Sequence, residues 1–290
     1  VPLANVNGVE IEYVTEGDPS DPALLLVMGL GAQLTTWPKG FVDGLRQRGF
    51  FVILFDNRDS GLSTKLEGLP DIAALMTGAD LSSTSYRIED MADDAAALLA
   101  NLGIDKAHVV GVSMGGMITQ ALVIKHAELF LSASSIMSTT GDRAVGAPTG
   151  EAMTALLRPV ATSREEAIQA SVEGSLVIGS PGYPTDERIL RERAAAAYDR
   201  SYCPEGTARQ LGAILGSPDR TEGLHGVGIP FLVVHGEADP LVTLSGGEAT
   251  AAAVPGSRLL TIPGMGHDLP EPLWGTVTDA IVANTELAAV

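Results

Sequence analysis

The sequence predicts an α/β protein: a mostly parallel sheet with helices on both faces, interrupted by an inserted helical cap. Short apolar runs of strand length alternate with helical segments along most of the chain. The runs are rich in Val, Ile and Leu with little polar alternation, the pattern of strands covered on both faces. One stretch, residues 140–222, loses the strand pattern and is filled with helix formers.

Asn7-Gly8 is a turn signal, and the alternation of Val9–Val14 after it predicts an early antiparallel strand. Ala23–Met28 (ALLLVM) and Phe51–Phe55 (FVILF) predict buried parallel strands, with a helix over Trp37–Arg48 between them. In the polar turn that follows, Asp56, Arg58, Ser60 and Ser63 are expected to brace the backbone through local hydrogen bonds. Ile88–Leu102 predicts an amphipathic helix stopped by Gly103. Met91, Ala95, Leu98, Leu99 and Leu102 line its apolar face, and Asp90, Asp93 and Asp94 its solvated one.

Ala107–Val112 (AHVVGV) predicts another buried strand, Met114–His126 a helix and Ala133–Met137 the next strand. Pro230–Val234, Leu259–Ile262 and a final helix from Glu271 to Leu287 complete the series. Residues 1–139 and 223–290 therefore make a full α/β core, and residues 140–222 the cap. The cap holds half of the chain's basic residues but only a third of its acidic ones. Its Met153, Leu156, Leu157, Ile178, Tyr183, Tyr198 and Tyr202 are expected to form mostly its own core.

Composition excludes several function classes. The 290 residues, 45% of them hydrophobic, suffice for a sizeable core, and 33 glycines imply many tight turns. Eighteen Lys plus Arg against 36 Asp plus Glu give a net charge of −18, which repels phosphate backbones and argues against a nucleic-acid partner. The single cysteine, Cys203, excludes an intrachain disulfide framework and a cysteine-rich zinc site, and is expected to be a passive thiol. No run approaches the roughly 20 apolar residues of a membrane span. The N-terminal segment has neither a basic start nor an apolar signal core, so a cytoplasmic location is expected, with a removed leader left open.

The chemistry gathers at Gly111-Val112-Ser113-Met114-Gly115-Gly116, where a predicted strand meets a predicted helix. That is the setting a G-x-S-x-G nucleophile elbow requires: small flanking residues allow a strained turn that lifts Ser113 above the sheet. A serine hydroxyl needs a base. Of the five histidines, His108 lies within a strand, His126 ends a helix, His225 has no motif and His235 reads as a turn residue. His267 remains, in a glycine-flanked loop after the last strand. The base needs an acid, and Asp239 follows the preceding predicted strand at the same sheet edge. Asp142 is its rival, and Asp268 is too close in sequence to reach the far ring nitrogen. The oxyanion is expected to receive the backbone N–H groups of Met114 and of Leu30, the latter in Met28-Gly29-Leu30-Gly31. Gly29 and Trp37 are expected beside the substrate. No metal or organic cofactor is called for.

These residues resemble the α/β-hydrolase superfamily over essentially the whole chain. Asp21–Gly29 (DPALLLVMG), the elbow GVSMGG and Ile262–Pro270 (IPGMGHDLP) are similar to aclacinomycin methylesterase and related actinobacterial carboxylesterases. The resemblance implies an α/β-hydrolase fold with Ser113, Asp239 and His267 as the triad, and Leu30 and Met114 as oxyanion donors. The expected activity is that of a serine carboxylesterase acting on a small to medium small-molecule ester. A carbon–carbon bond hydrolase, a perhydrolase with the same triad and a low-turnover ligand-binding receptor are the alternatives. A serine at the elbow argues against dehalogenase and epoxide hydrolase chemistry, which need a carboxylate nucleophile. Oligomeric state and acyl preference are not legible.

Overall fold

The apolar runs become the strands of one sheet in the computed structural model, which describes residues 2–78 and 83–289; Val1, residues 79–82 and Val290 lie outside the described residues. The strands are β1 (Leu3–Val6), β2 (Val9–Glu16), β3 (Ala23–Val27), β4 (Phe51–Phe55), β5 (Ala107–Val112), β6 (Phe130–Ile136), β7 (Phe231–Gly236) and β8 (Arg258–Ile262). Their order is β1-β2-β4-β3-β5-β6-β7-β8. The β1–β2 and β2–β4 pairings are antiparallel and every other pairing is parallel. The order reverses direction at β3, so the crevice between β3 and β5 opens at the carboxyl ends of the strands, where ligands of open α/β sheets bind.

The helices before β6 are α1 (Lys39–Arg46), α2 (Ile72–Thr77), α3 (Ile88–Asn101) and α4 (Met114–Lys125), of which α1, α3 and α4 cover the sheet. Successive strand residues point to opposite faces. Leu25, Val27, Ile53, Phe55 and Val109 pack with α3 and α4. Leu24, Leu26, Val52, Leu54, Val110 and Val112 turn the other way, against α1 and the C-terminal helix.

Between β6 and β7 the chain carries α5 (Gly150–Leu156), α6 (Arg164–Ile178), α7 (Glu187–Arg200), α8 (Pro204–Gly216) and α9 (Thr221–Leu224), with no strand. Side-chain oxygens of Thr149, Ser163 and Asp186 cap α5, α6 and α7 by accepting from first-turn amides. α10 (Leu244–Ala253) lies between β7 and β8, and α11 (Trp274–Glu286) closes the chain.

The structure corrects several expectations. The buried apolar cluster within the insertion is small, formed by Ile168, Val172 and Ala194. Leu157 and Tyr202 are instead exposed, and Tyr183 packs against the main core. Polar ties take over: Arg200 of α7 bonds Glu12 and Asp56, and Arg209 of α8 makes a two-pronged pair with Asp59 at 2.8 and 2.9 Å. Burial pushes the Glu12 carboxyl up, against the pull of Arg200. Asp94 is not on a solvated face; it is buried, 2.6 Å from both Arg58 Nε and Nη2, and also accepts from Asn7. Arg58 therefore braces the turn to a distant helix rather than locally. Asp56 and Ser63 do act locally: Asp56 accepts the Leu62 amide at 2.8 Å, and the Ser63 hydroxyl donates to the Asp56 carbonyl at 2.6 Å.

Candidate active site

Ser113 sits between β5 and α4 with φ 56° and ψ −120°, a region that L-residues adopt only under strain, at a cost of about 1–3 kcal/mol. The glycines around it are obligatory. A Cβ on Gly111 would strike the Gly115 carbonyl, and one on Gly115 would strike the Val27 carbonyl. A Cβ on Gly116 would meet the Ser138 side chain. The turn thus tolerates no side chain at these positions while presenting Ser113 at the amino end of α4, whose dipole favours negative charge there.

Three loops at the carboxyl ends of β5, β7 and β8 bring together residues far apart in sequence. The Ser113 hydroxyl donates to His267 Nε2 at 2.9 Å. His267 Nδ1 donates to Asp239 Oδ2 at 2.7 Å. The other Asp239 oxygen accepts the amides of Leu241 and Val242, both at 2.9 Å, so the carboxylate is buried and held on both sides. The loops that carry Asp239 and His267 are laced together, the Ala238 amide donating to the Met265 carbonyl at 3.0 Å.

The loop after β3 closes the remaining side. A Cβ on Gly29 would lie 3.2 Å from Ser113 Cβ, so Gly29 does stand beside Ser113. Among the described residues no protein acceptor takes the amide of Leu30 or of Met114.

Other expected residues fall elsewhere. Trp37 is a correction: it is 5% exposed, stacks on Phe41 with ring centroids 5.7 Å apart, and belongs to the core. It edges a groove of about 240 Å³ whose lining includes neither Ser113 nor His267. Asp142 caps its own turn by accepting the Ala144 amide at 2.9 Å, and is not paired with His267. His235 is a second correction. It lies inside β7, fully buried, with Nε2 donating to the Val242 carbonyl at 2.7 Å, and burial pushes its pKa down. His108 is buried beside Ser132, and burial lowers its pKa to about 4. His126 bonds Asp93 at 2.8 Å. Cys203 is the N-cap residue of α8, but its thiol makes no capping bond. Among the described residues no group of three or more His, Cys, Asp and Glu is placed to hold a metal ion. Nor, among them, is any helix long and apolar enough to cross a membrane.

Two groups of residues that hold the site carried no sequence signal. The end of α6 and the segment after it clamp the loop that carries His267: the His267 amide donates to the Ile178 carbonyl at 2.7 Å and the Gly182 amide to the Gly264 carbonyl at 2.9 Å. Ser180 Oγ accepts the Gly266 amide at 2.9 Å and donates to Asp268. Burial pushes the Asp268 carboxyl up. On the opposite side, Gln210 of α8 bonds the loop after β3. All of these contacts join residues 80 or more positions apart, beyond the reach of any local pattern.

Comparison with known proteins accords with this fold. The chain is 28% identical to rhodomycin D methylesterase DnrP of Streptomyces peucetius across the whole of both chains. It is 28% identical to rhodomycin D methylesterase DauP of a Streptomyces species over 94% of each. Its backbone superposes on the enol-lactonase of Burkholderia xenovorans LB400 with a TM-score of 0.76, at 24% identity, over 98% of this chain and 100% of the other. The family model for the alpha/beta hydrolase fold matches residues 22–271, and the chain belongs to that family.

Proposed function

We propose that the protein is a serine carboxylesterase working through an acyl-enzyme intermediate. The reading is carried by the continuous hydrogen-bond chain from Ser113 through His267 to Asp239 at a strained strand–helix turn. Ser113 Oγ attacks the ester carbonyl while His267 Nε2 takes its proton, and Asp239 stabilises the imidazolium. The carbonyl π pair moves onto oxygen and is met by the Leu30 and Met114 N–H groups. Collapse of this intermediate expels the alcohol with the proton from His267. Water, deprotonated by His267, then attacks the acyl-enzyme, and Ser113 leaves with the proton returned. The helices of residues 140–222 serve as the cap, and they rather than the sheet set the substrate. The methylesterase relatives favour an ester whose alcohol is small.

The test is steady-state hydrolysis of p-nitrophenyl acetate, butyrate, octanoate and palmitate, with rhodomycin D as a methyl ester. Turnover of at least one ester that disappears in Ser113→Ala is expected. Absence of turnover with every ester in the panel overturns the reading.

A further inference from the structure

We propose that Gln210, on the insertion rather than the sheet, is a positioning residue for the loop that carries the Leu30 amide. The inference rests on the oxyanion role assigned above to Leu30. Gln210 is fully buried, and its Oε1 accepts the Gly31 amide at 2.7 Å. Its Nε2 donates to the Arg58 carbonyl at 2.7 Å, so both ends of the side-chain amide are engaged and its orientation is fixed. Arg58 is itself locked to Asp94, which makes the far anchor rigid.

The Gly29–Leu30 peptide is bracketed by further bonds. Asn57 Nδ2 donates to the Met28 carbonyl at 3.0 Å, the Ala32 amide to the Gly29 carbonyl at 3.3 Å, and Ser60 Oγ to the Ala32 carbonyl at 2.6 Å. Gln210 is the partner that holds the loop at Gly31, where φ is +66° and the chain changes direction. α8 is pressed close there: a Cβ on Gly31 would lie 2.9 Å from Thr207 Oγ1, one helical turn before Gln210. With the Gly31 amide taken by Gln210, the neighbouring Leu30 amide is the one left unpaired beside Ser113. Gly31 itself is exposed, so without the glutamine acceptor its amide would lose its protein partner and be open to water as another. The peptide would then turn toward water, and carry the Leu30 N–H off its aim.

The experiment uses the full chain. kcat and KM for p-nitrophenyl butyrate, and Ki for hexyl trifluoromethyl ketone, are measured in the parent, Gln210→Met, Gln210→Glu and Ser113→Ala. The ketone reports on the oxyanion directly. Ser113 Oγ bonds its carbonyl carbon, the π pair becomes an alkoxide, and the proton passes to His267. Gln210→Met keeps the side-chain length and loses both polar atoms. It should lower kcat about 10- to 100-fold with KM within about threefold, and weaken the ketone by a matching factor. Gln210→Glu, which retains an acceptor for the Gly31 amide but loses the donor to the Arg58 carbonyl, should recover part of both. Unchanged kcat and Ki in Gln210→Met overturn the inference, as does a loss confined to KM. Should Gln210→Met fail to fold, Gln210→Asn withdraws the amide by one carbon and decides by the same readouts: a fall in kcat and ketone affinity supports the inference, and parent-like values overturn it. Turnover surviving in Ser113→Ala overturns the esterase reading itself. An inactive Ser113→Ala beside a fully active Gln210→Met overturns the positioning role alone.

Discussion

The backbone amide of His267 donates to the carbonyl of Ile178 at 2.7 Å, so the residue bonded to Ser113 is itself held by the insertion. Ser180, two residues further on, reinforces the same clamp through Gly266 and Asp268. Ser180→Ala removes the acceptor of a buried amide and the donor to a part-buried carboxyl. Activity should fall about tenfold and stability by about 1–3 kcal/mol, read from kcat and from denaturant unfolding. Parent-like kcat in this variant would show that the clamp does not hold the base.

Asp239→Asn leaves the shape of the site intact but gives His267 a partner that no longer stabilises its protonated form. kcat should drop by about 10⁴-fold while KM changes little, the loss expected when the base is left in the wrong tautomer. A drop of less than tenfold would assign the acid to another carboxylate.

How much of this was legible in the sequence follows from packing. The runs ALLLVM, FVILF and AHVVGV read as strands because both faces of the sheet are covered, and the glycines of the elbow marked Ser113 because backbone contacts leave no room for a Cβ. β1, α2 and α10 gave no reading. β1 and α2 are short, and α10 buries small residues such as Gly246, Gly247 and Ala253 without an apolar stripe. Trp37 and Asp94 misled for a common reason: residue type suggested exposure to ligand or solvent, and tertiary partners, Phe41 and Arg58, decided otherwise. The ties from Ile178, Ser180 and Gln210 depend on how the insertion lies across the loops, which sequence spacing does not encode.

Glycine positions offer a paired stability prediction. Gly115→Ala drives a methyl group into the carbonyls at the end of β3 and should destabilise the fold by about 1–3 kcal/mol. Gly174→Ala, on α6 with open space at its Cβ, should stabilise by about 0.5–1 kcal/mol. Urea midpoints of the two variants moving in the same direction would contradict this reading.

His108 predicts an acid-side loss of stability. Burial holds its folded pKa down at about 4, whereas the unfolded chain takes up the proton near the ordinary 6.5. The unfolded state therefore binds more protons as pH falls from 6.5 to 4, and stability declines across that window by about 2 kcal/mol at pH 5. His108→Gln keeps a hydrogen bond to Ser132 within reach and does not titrate. Its stability should fall less than the parent's between pH 7 and pH 5, by about that amount; parallel curves would contradict the assignment.

The central claim is that Ser113 carries the acyl group during turnover. Acid-quenching the parent protein within the first turnover of p-nitrophenyl butyrate, followed by mass analysis of its peptides, tests it directly. The account predicts a butyryl group on the peptide that holds Ser113 and none in Ser113→Ala. A butyryl group on another residue, or turnover with no acyl-protein at any time, would contradict it.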